Sequence, residues 1–341
     1  MINLIFAGLF LFVAAVVVIF MKRILGLESK EQEIEQSEKS EKIEKPIKKE
    51  IKKGTKKENQ KNKFFTTVTV SDFEDATYIN NLKKLDIGIE LALLTHLAGP
   101  LNVAKYDRDL ESLKKEIQDF KKAFETYKIP VEQVRVHQPG GYTYNWFGTN
   151  NLSGYDFLKD FFAFCYDQGF RNYVIHAPYG VTGVYQGIEL SDYKAKIDNL
   201  FSQDDVVLEV EEVGAPYHVS EKTNIRLYKG QLFEKLMKGQ RATVLLDVCE
   251  CGSVEQTIER LNYLVSEGCE VTTIHLHKDK HKFLTPDELG VLLKTGFLGN
   301  LVNEGFVKQE SSFDEFVKAQ SKDCIVPNDQ RIKILKEYIE I

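Results

Sequence analysis

The 341-residue sequence predicts a (β/α)8 barrel carried behind an N-terminal transmembrane helix and a disordered charged linker. Three observations point there. After residue 63 one theme recurs eight times: a short strand with β-branched residues, a polar or Gly-rich loop, then an amphipathic helix of ten or more residues. That stretch is 278 residues long, close to the roughly 250 of an ordinary eightfold barrel. Finally, the polar members of the predicted strands fall on one face, with Val, Ile and Leu on the other. An open doubly wound sheet ranks second, because its strands are apolar on both faces.

The chain divides into residues 1–21, 22–63 and 64–341. From Ile2 to Met21 there is no charged residue, and about 20 helical residues span about 30 Å, the depth of a bilayer core. A basic segment before the apolar run and a small-x-small site after it, the marks of a cleaved signal peptide, are missing. Lys22 and Arg23 follow the run, so the positive-inside tendency puts the C-terminal domain in the cytoplasm, held at the cell membrane by a single pass. Residues 22–63 hold 14 Lys and Arg and 9 Glu without one aromatic ring, too polar to fold alone and suited to a solvated tether. The remaining 31 basic and 42 acidic residues leave residues 64–341 at a net charge of −11. Such a domain is a poor match for a nucleic-acid backbone. Five scattered cysteines argue against a disulfide framework, and Cys249-Glu250-Cys251 has no second thiol cluster to complete a zinc ligand set.

The predicted strands are 65–71, 86–91, 132–138, 172–177, 205–211, 242–249, 271–277 and 305–310. Capping boxes begin helices at Thr285-Pro286-Asp287-Glu288, Ser253-Val254-Glu255-Gln256 and Ser312-Phe313-Asp314-Glu315. The helix after Ser253 presents Val254, Ile258, Leu261 and Val265 as its core stripe. Inward polar residues are Thr67, Thr69 and Ser71; Arg135 and His137; Glu209 and Glu211; Thr243 and Asp247; Thr273, His275 and His277; Lys308 and Glu310. In a barrel, such residues at the C-terminal strand ends meet in one mouth. His137, His176, Glu209, Asp247, His275 and Glu310 are candidates to converge there. Imidazoles with carboxylates suit one divalent ion, Mn, Mg, Co or Zn, with open positions for substrate. The loop Gly140–Phe147, with the only Trp, suits an aromatic lid, and Lys278, Lys280 and Lys282 a phosphate contact.

The motifs His176-Ala177-Pro178-Tyr179, Leu208-Glu209 followed by Gly214, Leu246-Asp247-Val248-Cys249, Ile274-His275-Leu276 and Gln309-Glu310-Ser311 resemble, in order and spacing, the strand motifs of the xylose isomerase-like TIM barrels. This superfamily comprises sugar and sugar-phosphate isomerases and epimerases and endonuclease IV-like nucleases. The resemblance covers residues 64–341. It implies a metal held by Glu209, Asp247, His275 and Glu310, with Glu209 and Glu310 also acting as an acid/base pair around a metal-stabilised enediolate. It assigns His137 and His176, extra metal ligands in the nuclease branch, to substrate binding here. Two positions depart from the family: Glu250 stands where Asp-x-x-His is usual, and His281 where an Arg commonly follows the strand-seven His. Both are expected at the substrate. The nuclease Asp-Arg-His motif is absent. The expected function is therefore a membrane-anchored, metal-dependent sugar or sugar-phosphate isomerase or epimerase. A non-catalytic tethered scaffold and an endonuclease IV-like phosphodiesterase are the alternatives.

Overall fold

The computed structural model describes residues 62–91, 93, 110–139, 154–177, 180–181, 190–212, 224–225, 233–278, 281–309 and 324–341. Eight parallel strands close on themselves: β1 (Lys63–Val68), β2 (Gly88–Leu91), β3 (Arg135–His137), β4 (Asn172–His176), β5 (Val207–Glu212), β6 (Thr243–Asp247), β7 (Val271–Leu276) and β8 (Asn300–Asn303). Each pairs with its neighbours in sequence, and β1 pairs with β8 with Lys63 opposite Asn300. Among the described residues, the α-helices of five or more residues are α1 (Ala76–Lys84), α2 (Leu110–Tyr127), α3 (Gly154–Asp167), α4 (Leu190–Asp198), α5 (Phe233–Met237), α6 (Val254–Ser266), α7 (Pro286–Leu293) and α8 (Asn328–Glu340), one after each strand. A short antiparallel pair, Gly180–Val181 with Asn224–Ile225, lies outside the barrel sheet.

The alternation in the strands sorts the two faces. Val68, Ile89, Leu91, Val136, Tyr173, Ile175, Val210, Val244, Leu246, Ile274 and Leu301 belong to the large apolar core shared with the helices. The intervening residues, among them Phe65, Val174, Leu245 and Val302, are buried but belong to no part of that outer core, because they fill the barrel lumen. Aromatic rings dominate the outer core: Phe73 meets Phe124 edge-on at 5.4 Å, and Tyr173 lies 4.4 Å from Phe201. Helix starts follow the chemistry expected. Thr285 and Glu288 form a reciprocal capping box on α7, and the Ser253 hydroxyl accepts from the Gln256 amide at 3.2 Å on α6. All five cysteines are free thiols.

Three expectations need correction. The eighth strand is Asn300–Asn303, not 305–310: only Leu301 and Val302 are apolar, too short a run to stand out, whereas Gly305–Glu310 alternates as a half-buried strand would. Gly305 instead packs against the Phe283 backbone. On α6 the buried stripe is Val254, Thr257, Leu261 and Leu264, and Val265 is 57% exposed, because one further residue rotates the side chain about 100° away from the core. Thr69 and Ser71 lie past the end of β1, on a 3-10 turn that Thr69 caps. The anchor (1–21), nearly all of the linker (22–63), the loop 140–147 and the box at Ser312 lie outside the described residues. Among the described residues, no helix is long and apolar enough to cross a membrane.

At the bottom of the lumen Gly88 makes room for the Phe65 ring: a Cβ there would stand 2.3 Å from Phe65 Cδ1. Gly88→Ala is therefore expected to destabilise the fold by about 1–3 kcal/mol through overpacking. Gly290→Ala on α7, where the new methyl would meet nothing closer than 3.8 Å, is expected to stabilise by about 0.5–1 kcal/mol. Thermal or urea denaturation of the two variants checks both signs.

Candidate metal centre

The polar interior is built in two levels. On the lower, Arg135 of β3 forms ion pairs with Glu90 of β2 (Nε–Oε2, 2.8 Å) and Glu209 of β5 (Nη2–Oε2, 2.5 Å). The Thr272 and Thr273 hydroxyls donate to Glu209 Oε1 at 2.6 and 2.5 Å, and the guanidinium lies over the Phe65 ring. Each group is deeply buried, so the three charges are held by one another and by hydroxyls rather than by water.

Two residues further along the same strands lies the upper level. His137 Nδ1 faces the Gln138 carbonyl at 2.9 Å and its Nε2 faces Glu211 Oε2 at 3.0 Å. His176, on β4, stands edge-on to His137 with its Nε2 3.5 Å from the same carboxylate oxygen. His275 is fully buried, and neither ring nitrogen makes a hydrogen bond. Its nearest carboxylates are Glu304 at 3.3 Å, Glu90 at 3.4 Å and Glu211 at 3.8 Å. Asp247 divides its oxygens: Oδ1 accepts from the Cys249 and Glu250 amides, capping a single helical turn, and Oδ2 meets His277 Nε2 at 2.8 Å. Among the described residues, ligand atoms lie within 4.8 Å of one another in four groups: Glu211, Asp247 and His275; His137, His275 and Glu304; His137, His176 and Glu211; and His277, His281 and Glu304.

These spacings suit a divalent cation. Separations of 3.3–3.8 Å around His275 exceed a good hydrogen bond, but two ligands bonded at about 2.1 Å to one tetrahedral ion stand about 3.4 Å apart. Electrostatics agree. Burial works against a charged His275, yet Glu304 and Glu90 outweigh it and raise the imidazole pKa well above its usual value. Asp247 does the same for His277 against the same burial, and Glu211 for His137. Burial pushes the Glu211 carboxyl up, with His137 and His275 opposing. Asp247 is held down by His277 despite its burial. The carboxylates thus draw positive charge onto the rings, and a cation competes with those protons for the same atoms.

Of the predicted ligands, Asp247 and His275 meet at the mouth, side by side in the β6–β7 register. Glu209 does not join them: it sits on the lower level with Arg135, and Glu211, two residues on, takes the mouth position. The two share a strand face, so alternation alone could not choose between them; the strand runs to Glu212, which puts Glu211 at its C-terminal end. Glu310 lies outside the described residues; among the described residues the carboxylate at the mouth after β8 is Glu304, which directly follows the short strand that the sequence pattern does not reveal. His137 and His176 are at the mouth as expected. Glu250 is half-buried on the turn after β6 and belongs to none of the four groups, whereas His281 stacks on His277 with centroids 4.5 Å apart. Glu90 was missed outright, although Ile89-Glu90-Leu91 alternates as a strand should.

No family model matches the sequence, and no curated protein matches it. Solved structures do. A Rhodospirillum rubrum protein provisionally described as a xylose isomerase is 15% identical, covers 81% of this chain and 98% of its own, and superposes with a TM-score of 0.52. An L-ribulose 3-epimerase is 14% identical over 82% of this chain and 93% of its own, with a TM-score of 0.50. What this chain shares with both is the fold, a closed (β/α)8 barrel. Endonuclease IV of Thermus thermophilus superposes less well, with a TM-score of 0.45 at 13% identity over 82% of this chain and 99% of its own.

The two levels make separable predictions. Glu211→Gln is expected to weaken Mn²⁺ binding at least tenfold, as loss of a charged ligand should. Glu209→Gln should leave that affinity within about twofold and instead lower stability by about 3–5 kcal/mol, since Arg135 loses a buried partner. Calorimetric titration with Mn²⁺ and urea denaturation check the pair. Run in buffers of different ionisation enthalpy at pH 7, the wild-type titration should show proton release. Affinity should fall as pH drops through the raised imidazole values, because each ring must give up a proton to take the metal.

Proposed function

We propose that the barrel is a divalent-metal-dependent sugar or sugar-phosphate isomerase or epimerase of the xylose isomerase-like group, acting by moving a proton at the carbon beside a carbonyl. The observation that carries this reading is the pair of buried carboxylates, Glu211 and Glu304, with oxygens 3.8 and 3.3 Å from Nδ1 of the same imidazole, His275. The two barrels that superpose best among those described support the choice of chemistry.

Glu211, Asp247 and His275 would hold the ion. When bound, it supplies Lewis acidity to substrate oxygen and steadies the negative charge left when a proton is removed. Glu211 and Glu304 take the acid/base role that the resemblance alone would give to Glu209 and Glu310. The Asp247 carboxylate is kept in one rotamer by the amides of Cys249 and Glu250, so it cannot swing away from His275. His137, pinned through Nδ1 by the Gln138 carbonyl, and His176 beside it form the wall on which substrate hydroxyls would rest. The half-buried Glu250 adds an acceptor at the rim. Residues 1–21 are read as a single-pass anchor and 22–63 as the tether that holds the barrel on the cytoplasmic side, on the strength of the uncharged run and Lys22-Arg23 after it.

The experiment is solvent exchange. Full-length chain should resist extraction from membranes by salt and yield to detergent. Loaded with Mn²⁺ and incubated in D₂O with aldoses, ketoses and their phosphates, it should place one deuterium on carbon in at least one of them. Glu304→Gln should slow this by about 10²–10⁴-fold, the contribution of a lost acid/base group. A metal-loaded barrel that exchanges no substrate would sink the enzymatic reading and leave the scaffold.

A further inference from the structure

The last ladder pair between β5 and β6 is Glu212 with Leu246, and two mouth carboxylates flank it: Glu211 one residue before on β5, Asp247 one residue beyond on β6. Alternation sends Glu212 the other way. Glu211 faces the lumen with Asp247 and His275, whereas Glu212 turns outward into the helix layer and is buried there. Arg260 of α6 grips it with both prongs of the guanidinium, Nε to Oε2 and Nη2 to Oε1, each at 2.7 Å. The guanidinium is itself held in place. It lies over the Tyr263 ring at 5.2 Å, and the Tyr263 hydroxyl donates to Glu234 Oε1 of α5 at 3.1 Å.

The position of this fork gives it a use beyond cohesion. Among the described residues the β4 ladder ends at Glu211 and the β6 ladder at Glu212, so the fork takes over where the strand hydrogen bonds stop. Helix α6 follows closely on the single turn Val248–Cys251 that the Asp247 side chain caps. Arg260 therefore ties the strand that carries one ligand to the helix that follows the other. Metal binding needs its ligands placed to about 0.5 Å, and a bidentate fork imposes geometry as well as attraction. Cohesion alone is a weak reason for such a pair, because apolar side chains of the same volume hold a protein interior together equally well. At the opposite end of the same strand, Arg171 Nε meets Asp205, two residues before β5, at 2.7 Å. A guanidinium thus grips β5 at each end, and only Arg260 is next to the mouth.

We propose that Arg260 is a positioning residue for the metal centre: by fixing Glu212 it sets the Glu211 carboxylate at ligand distance from Asp247 and His275. The proposal rests on the ion of the proposed function. Its test reads binding rather than turnover, so the two can fail separately.

Full-length chain in detergent is stripped with chelator and titrated calorimetrically with Mn²⁺, with urea denaturation of the metal-free protein alongside. Arg260→Met should weaken Mn²⁺ binding by about 10–100-fold, as loss of an outer partner of a metal ligand does. Arg260→Lys, a point charge in place of a fork, should fall between it and wild type. Arg260→Met combined with Glu212→Gln should bind no more weakly than Arg260→Met alone, because both act through one contact. Arg171→Met should lower stability yet leave the affinity within about twofold of wild type. Wild-type affinity in Arg260→Met, or an equal loss in Arg171→Met, overturns the proposal. Where circular dichroism shows Arg260→Met unfolded, Arg260→Lys and Glu212→Gln decide in its place, and wild-type affinity in both overturns it. A wild-type chain that binds Mn²⁺ but exchanges no substrate removes only the enzymatic reading, and one that binds no Mn²⁺ removes both.

Discussion

Everything in the barrel depends on how carboxylates are kept charged out of water. A lone buried carboxylate takes up a proton or unfolds the chain around it, because its desolvation costs several kcal/mol even after relaxation. The lower level solves this with Arg135, whose fork reaches Glu90 on one side and Glu209 on the other while its face lies over Phe65. Gly88, which leaves space for that ring, belongs to the same solution, and so do the two threonine hydroxyls on Glu209. Among the described residues, no guanidinium reaches the upper level. Among the described residues, imidazoles face Glu211, Asp247 and Glu304, and an imidazole accepts either a proton or a metal at neutral pH. The lower level is thus held together by its own guanidinium and hydroxyls, whereas the upper one is faced by groups that can exchange a proton for a metal. That difference, rather than the number of acidic residues, marks where ligand chemistry belongs.

The division follows from the strand period. Along β3 the step from Arg135 to His137, and along β5 the step from Glu209 to Glu211, moves a side chain from one level to the next without changing the face it occupies. Neighbouring strands repeat the two-residue step and are staggered in the tilted barrel, His137 pairing with Val174 and Val174 with Glu209, so the residues of one level are brought together from segments far apart in sequence. Thr273 and His275 on β7 do the same: the first contacts Glu209 and the second lies near Glu304.

The fold was largely legible because the alternation of seven strands is strong and the caps at Ser253 and Thr285 are chemically explicit. The eighth strand was not, since Asn300-Leu301-Val302-Asn303 offers two apolar residues and draws its stability from partners on both sides, β7 and β1, that no local pattern reveals. The site was half legible. Asp247 and His275 stand out as polar residues closing apolar strands. Choosing Glu211 over Glu209 required knowing where β5 ends, a matter of a few residues that hydrophobic periodicity does not resolve. Glu304 was hidden with its strand. Glu90 needed the knowledge that Arg135 points at it, which is a tertiary fact.

His281 shows how a departure from a family pattern acquires physical meaning only in place. An arginine at that position would bring a fixed positive charge and a bidentate donor for substrate. A histidine there brings a neutral donor atom beside Glu304, in a loop whose backbone is locked by Phe306 and Val307 and whose ring cannot turn freely between His277 and Phe306. A permanent charge has been replaced by a group that can bind one. Position 281 thus brings no fixed charge to the mouth, and the electrostatic balance there can follow what the site binds.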